Sequence, residues 1–123
     1  MLKLLLDEHI SPVVAAGLIR RHPSLAVHSM TKWEDGRFLG QDDSAFLEHA
    51  SEQGLTLATY DRRTIPPLLK LWGEEGRDHG GVIFIDEKTI SPADLGGQVH
   101  ALSNLIRASA KWNWTNRVCF LQR

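Results

Sequence analysis

Five short apolar runs punctuate the chain: LKLLL at 2–6, LAVHSM at 25–30, LTLAT at 55–59, GVIFI at 81–85 and RVCFL at 117–121. Each has the length of a strand, and the first and fourth lack the alternation of a half-exposed one. Between them, apolar positions recur at helical spacing. Ser11-Pro12 supplies an N-cap and a proline suited to the first helical position, which predicts a helix to Arg21. After a loop over 31–41, with Asp35-Gly36 as its turn, Asp42 and Asp43 precede a helix that Gly54 stops. Pro66 and Pro67 open a short helix carrying Leu68, Leu71 and Trp72. Ser91-Pro92 repeats the earlier start signal, and Leu95, Val99, Leu102 and Ile106 mark one face of the longest helix. Strands alternating with helices predict an α/β three-layer sandwich with a central parallel five-stranded sheet, formed by one domain over residues 1–123. The two continuous apolar runs, 2–6 and 81–85, are expected side by side near its centre.

Composition narrows the class without naming a function. Apolar content of 42% and charged content of 24% are those of an ordinary globular domain. A single cysteine, Cys119, leaves no internal disulfide and suggests a reducing compartment. With no leader pattern and no membrane-length apolar run, a cytoplasmic protein is expected. A net charge of −1 advertises no nucleic-acid partner globally, so any such surface must come from local patches or from cations that offset acids.

The acids change the picture. In parallel sheets covered by helices, ligands bind outside the carboxyl ends of the strands. Asp7 and Glu8 end the first run, Asp61 follows the third, Asp86 and Glu87 follow the fourth, and Asp43 starts a helix expected to open on the same rim. Two carboxylates about 4 Å apart repel by roughly 4 kcal/mol at an effective dielectric near 20, so a cluster calls for protons or a cation. Oxygen ligands with no accompanying histidine or cysteine pattern point to Mg²⁺ or Mn²⁺. Each acid also has a plainer reading: Asp43 or Asp42 as an N-cap, Asp61 as a turn residue or a partner of Arg62 or Arg63, Glu8 as solvated. Asp86 and Glu87, beside Lys88, read as a solvated turn.

LLLDEHISP at the N-terminus, DDSAFLEHASEQG, TLATYD and HGGVIFI resemble, over nearly the whole chain, the PIN-like superfamily. They are closest to its small branch that opens on a strand followed by DEN-x-S-P-like text. The resemblance implies an α/β nuclease related to VapC-like ribonuclease toxins, in which acids hold a divalent metal and cleave RNA. The family's first acid falls on Asp7. Its mid-chain helix acid falls on Asp43, at the same offset from Gly54 and Thr59, and its acid after the third strand falls on Asp61. The implied metal ligands are thus Asp7, Asp43 and Asp61, with Glu8 orienting a water. The metal would lower the pKa of bound water and offset transition-state charge. His9 stands where asparagine is common, and is either a proton donor or a structural histidine. Arg63 stands where many relatives carry a further acid. These departures imply weak or substrate-restricted turnover, or a site kept without turnover. An antitoxin protein is an implied partner, as is a second copy of the chain.

Cations on loops of the same edge, Arg62, Arg63, Lys32 and Arg37, are the candidate substrate contacts. Trp112 and Trp114 lie among Lys111 and Arg117, but on a loop at the opposite end of the sheet. They are expected to pack that end or a contact between copies. No H-x-H, H-E-x-x-H, G-x-G-x-x-G or Walker spacing occurs. A phosphoacceptor receiver domain shares the acids after strands 1 and 3. It needs a hydroxyl after strand 4 and a lysine after strand 5, where this chain has Asp86 and Gln122 before ending at Arg123. A dehalogenase-type phosphatase needs an aspartate at position 9. The alternative kept beside the nuclease is a non-catalytic PIN-like module that binds RNA or protein, which Arg63 supports.

Overall fold

The computed structural model describes residues 2–123. Its strands are β1 (Lys3–Leu6), β2 (Ala26–Ser29), β3 (Thr56–Thr59), β4 (Val82–Ile85) and β5 (Val118–Leu121). Its helices are α1 (Pro12–Arg21), α2 (Asp43–Glu52), α3 (Ile65–Glu74) and α4 (Leu95–Ala108). Every strand pairing is parallel, and the order across the sheet is β2-β1-β3-β4-β5. This is the expected α/β sandwich, with apolar side chains buried on both faces of the sheet. On one face Leu4, Leu6, Ile83 and Ile85 pack against Val14 and Leu18 of α1 and Leu102 and Leu105 of α4. On the other, Leu5, Leu57, Val82 and Phe84 pack against Phe46 and Leu47 of α2 and Ile65 and Trp72 of α3.

Two expectations are corrected. β1 and β4 are not neighbours, because β3 lies between them as the central strand. The threonines that frame β3 conceal its burial: all four of its residues are buried. The Thr56 hydroxyl donates to the Gly80 carbonyl at 2.7 Å and that of Thr59 to Asp7 at 2.5 Å. With their hydroxyls partnered, both threonines are tolerated inside. The second correction concerns α4. Ser91-Pro92 does not start it. Ser91 instead forms a turn with Asp94, whose amide donates to the Ser91 carbonyl at 2.9 Å. Asp94 is the cap, accepting from the Gly97 amide at 2.9 Å.

The loop before α2 turns where expected, through left-handed conformations at Glu34, Asp35 and Gly36. Trp33 is buried there against Phe38, at 5.0 Å between ring centres. At the amino end of the sheet the chain passes Gly80 so closely that a Cβ would sit 2.3 Å from the Leu55 carbonyl oxygen, so only glycine fits. Trp114 is buried at this end, while Trp112 is more than a third exposed beneath the Arg117 guanidinium, 4.4 Å from its ring centre. Trp114 therefore packs the fold as expected. No helix is long and apolar enough to cross a membrane among the described residues.

Candidate functional site

The strand order reverses between β1 and β3. The helix after β1 covers one face of the sheet and the helix after β3 covers the other, so their connections diverge and leave a crevice at the carboxyl edge. Asp7 and Asp61 flank that crevice.

Asp7 follows β1 directly and is held there by its backbone amide, which donates to the Ala58 carbonyl at 3.0 Å. Strand alternation continues through it, so its side chain points to the same face as Leu5. It is buried, 7% exposed. The Thr59 hydroxyl donates to one carboxylate oxygen at 2.5 Å and the Glu8 amide to the other at 2.7 Å. Burial raises its pKa, against the lowering effect of those two hydrogen bonds.

Asp61 uses its two oxygens differently. Oδ1 accepts from the amides of Arg63 and Thr64, each at 2.9 Å, which shapes the turn into α3. Oδ2 accepts from the Thr64 hydroxyl. The same hydroxyl lies 2.5 Å from Oδ2 of Asp43, the first residue of α2. A hydroxyl has one proton, so it can donate to only one of these carboxylates at a time. Partial burial would raise the Asp61 pKa, but the hydrogen bonds from Thr64 and Arg63 and the Arg63 charge outweigh it and lower it. The Thr59 hydroxyl that donates to Asp7 accepts from the Asp61 amide at 2.9 Å. Asp7, Asp61 and Asp43 are thereby joined through two threonines.

The plainer readings are answered in part. Asp42, not Asp43, occupies the cap position of α2, and its side chain bonds Ser44 at 3.1 Å rather than a helix amide. Asp61 is both a turn residue and part of the carboxylate pair. Glu8 and His9 are exposed, so His9 is not a buried structural histidine. Asp86 forms the expected turn, accepting from the Lys88 amide at 3.2 Å.

Among the described residues, no three His, Cys, Asp or Glu side chains gather closely enough to hold a metal ion. Asp43 and Asp61 come together as a pair, with Asp7 one threonine away. The donor set is hard oxygen throughout. It suits Mg²⁺ or Mn²⁺ held by two carboxylates, because Mg²⁺ keeps several of its waters and is commonly bound through only one or two protein carboxylates.

Of the candidate cations, Arg62 and Arg63 follow Asp61 immediately and are exposed. Arg37 lies 4.8 Å from the Phe38 ring centre and 4.0 Å from the Glu34 carboxylate. Lys32 lines a cleft with Ala15, Ala16 and Ile19 of α1 and Val27 of β2. Among the described residues, no hydrogen bond or ion pair joins Lys32 or Arg37 to the three acids.

Sequence reasoning missed Thr59 and Thr64. The available signal was a hydroxyl at the end of β3 and another three residues after Asp61, spacings at which a side chain reaches its neighbours' carboxylates. It also missed Phe120, which stands on the edge strand 60% exposed, stacked on Phe84 and lying beneath Arg62. No family model matches the chain, and no curated protein or solved structure matches it either.

Proposed function

We propose that the chain is a PIN-like, divalent-metal-dependent nuclease, an endoribonuclease acting at the carboxyl edge of the sheet. One observation carries the reading: Asp43 and Asp61, from different elements, converge on the single proton of Thr64, with Asp7 tied to them through Thr59. Two carboxylates at that separation repel unless a cation or a proton lies with them. Their first ligand would be Mg²⁺ or Mn²⁺, held by Asp43 and Asp61 with Asp7 behind them. Such an ion would supply a more acidic bound water and charge to offset that on the phosphate undergoing attack.

The chain's own residues supply the rest. Thr64 orients the two carboxylates, and the amides of Arg63 and Thr64 fix the rotation of Asp61. Thr59 holds Asp7 in the row. Arg62 and Arg63, exposed beside Asp61, would meet the phosphate backbone, whose contacts set affinity rather than sequence preference. Phosphodiester hydrolysis would follow, with RNA favoured over DNA on the family resemblance. A cytoplasmic location, the role of toxin in a toxin–antitoxin pair, an antitoxin partner and a homodimer belong to the same reading.

The non-catalytic RNA- or protein-binding module remains as the second reading. Arg63 favours it: its charge acts on Asp61 where many relatives of the resembled family place another acid.

The experiment is a melting curve with and without Mn²⁺, followed by cleavage of labelled RNA. At a hundredfold excess over its dissociation constant, Mn²⁺ should add about 2.7 kcal/mol, a shift on the order of 10 °C for a domain of this size. Asp43→Asn and Asp61→Asn should abolish both the shift and cleavage. Identical melting with and without Mn²⁺ would remove the metal site. A shift without cleavage would favour the binding module.

A further inference from the structure

β5 is the outer strand of the sheet, and the helices do not cover all of it. Its inward positions, Cys119 and Leu121, pack against the side of the sheet that α1 and α4 cover. Val118 and Phe120 point to the other side, in register with Val82 and Phe84, and α2 and α3 leave them 42% and 60% exposed. Exposed apolar side chains are ordinary one at a time, so what marks this place is the grouping around the ring rather than its exposure.

Its neighbours define the use. Phe84 stacks beside it, with ring centres 5.5 Å apart and planes 22° from parallel. The Arg62 guanidinium lies over it, 5.1 Å from the ring centre. Among the described residues Arg62 makes no ion pair, so its charge is available. The register places this ring relative to the acids. Thr59 is opposite Phe84 and Phe84 is opposite Phe120, while Thr59 donates to Asp7. Asp7, Thr59, Phe84 and Phe120 therefore form one transverse row on one face. With neighbouring strands about 4.8 Å apart, Phe120 stands about 10 Å from Thr59, within reach of a single strand running along the carboxyl edge past the ends of the buried Thr59 and Phe84.

We propose that Phe120, with Arg62 above it, is a stacking platform for an unpaired nucleobase. It would seat single-stranded nucleic acid along the carboxyl edge, with Arg62 meeting the adjoining phosphate. This rests on the nuclease reading for its ligand class. A ring more than half exposed and a guanidinium with no carboxylate partner match the alternation of base and phosphate in a single strand, the guanidinium moving off the ring to the phosphate as the base stacks. A base inside a duplex offers no such face, so the platform selects single-stranded over double-stranded substrate. Pairing of β5 with β5 of a second copy would use the edge of the sheet but would leave unexplained the guanidinium of Arg62 held over the Phe120 ring.

The test is anisotropy titration of a labelled oligoadenylate in chelator, which prevents turnover, alongside an abasic strand of equal length and the duplex. Phe120→Ala should weaken oligoadenylate binding about tenfold, the order of one lost base–aromatic stack, and leave the abasic strand unchanged. Phe120→Trp should restore binding. Arg62→Ala should weaken both strands and reduce the salt slope by about 0.7, one phosphate contact on a single strand. Melting curves of the Phe120 variants would exclude misfolding. The proposal is overturned if Phe120→Ala binds as the parent does, if it loses both strands alike, if the parent prefers duplex, or if the parent binds no strand. Conversion of a dimer to a monomer by Phe120→Ala with binding unchanged would assign the face to a second copy. The two readings fail separately. Phe120-dependent binding without metal-dependent cleavage sinks the nuclease alone, and cleavage with Phe120-independent binding sinks the platform alone.

Discussion

Burial raises the Asp7 carboxyl above its ordinary range although a hydroxyl and an amide both donate to it, whereas Asp61, less buried and more richly bonded, is held below that range. The sign of each effect on stability follows. For Asp7 the native state takes up the proton more readily than the unfolded chain does. Ionised Asp7 therefore opposes folding at neutral pH, and this opposition is relieved as pH falls through the raised native value toward 3.8. Asp7→Asn should melt no lower than the parent in chelator at neutral pH, and the difference between them should shrink on acidification. A variant that melts well below the parent at every pH would mean that the Thr59 and Glu8 hydrogen bonds outweigh the buried charge. Asp61 runs the other way, its contribution being present above 3.8 and lost as pH falls through its lowered native value. At this scale the grouping of the acids was legible in part, since Asp43 and Asp61 meet at Thr64 with Asp7 one threonine away. A carboxylate directly after an apolar run has few structural uses, and three of them at strand and helix ends suggested one rim. The threonines were not legible, since a hydroxyl announces no partner until the fold supplies one.

Among the elements, the short loops decide what each cation can do. Arg62 and Arg63 leave the turn that Asp61 shapes, and they emerge beside the carboxylates. Lys32 and Arg37 belong to the connection before α2, where Glu34 and Phe38 already engage Arg37. Arg63→Ala should therefore weaken RNA binding and lessen its salt dependence, while Arg37→Ala should change neither by much. Trp112→Ala should alter the melting point instead, because its ring packs at 5.4 Å from Trp114 at the opposite end of the sheet. Gel shifts at two salt concentrations check this, and a Trp112 variant with lost RNA affinity and unchanged melting would reverse the assignment. The strands and helices themselves were readable from apolar runs and proline or glycine punctuation. The order of the strands was not. Apolar continuity marks burial on both faces but does not say which buried strand is central, and β3 hid its centrality behind two partnered threonines.

At the scale of the whole molecule, the amino end of the sheet is held by a clasp of backbone contacts. The His79 ring accepts from the Gly81 amide at 3.0 Å, and His79 and Asn116 exchange bonds through the His79 amide at 3.0 Å and the Asn116 amide at 2.9 Å. Burial lowers the His79 pKa, and the Gly81 bond needs its neutral ring. The unfolded chain takes up this proton first. Stability should therefore be full above the ordinary value of 6.5 and decline below it, down through the lowered native value. Urea midpoints measured on either side of that value should differ in the parent and converge in His79→Gln.

The Asp7–Thr59 hydrogen bond has a further consequence in the order of events. It joins residues 52 apart in sequence, so the crevice exists only after a long loop has closed, and closing such a loop is an entropic burden borne before its contacts form. Anything seated between Asp7 and Asp61 spans the mouth of that loop. A ligand there would act as a removable clip on the chain, and its presence would be felt in how slowly β1 and β3 come apart.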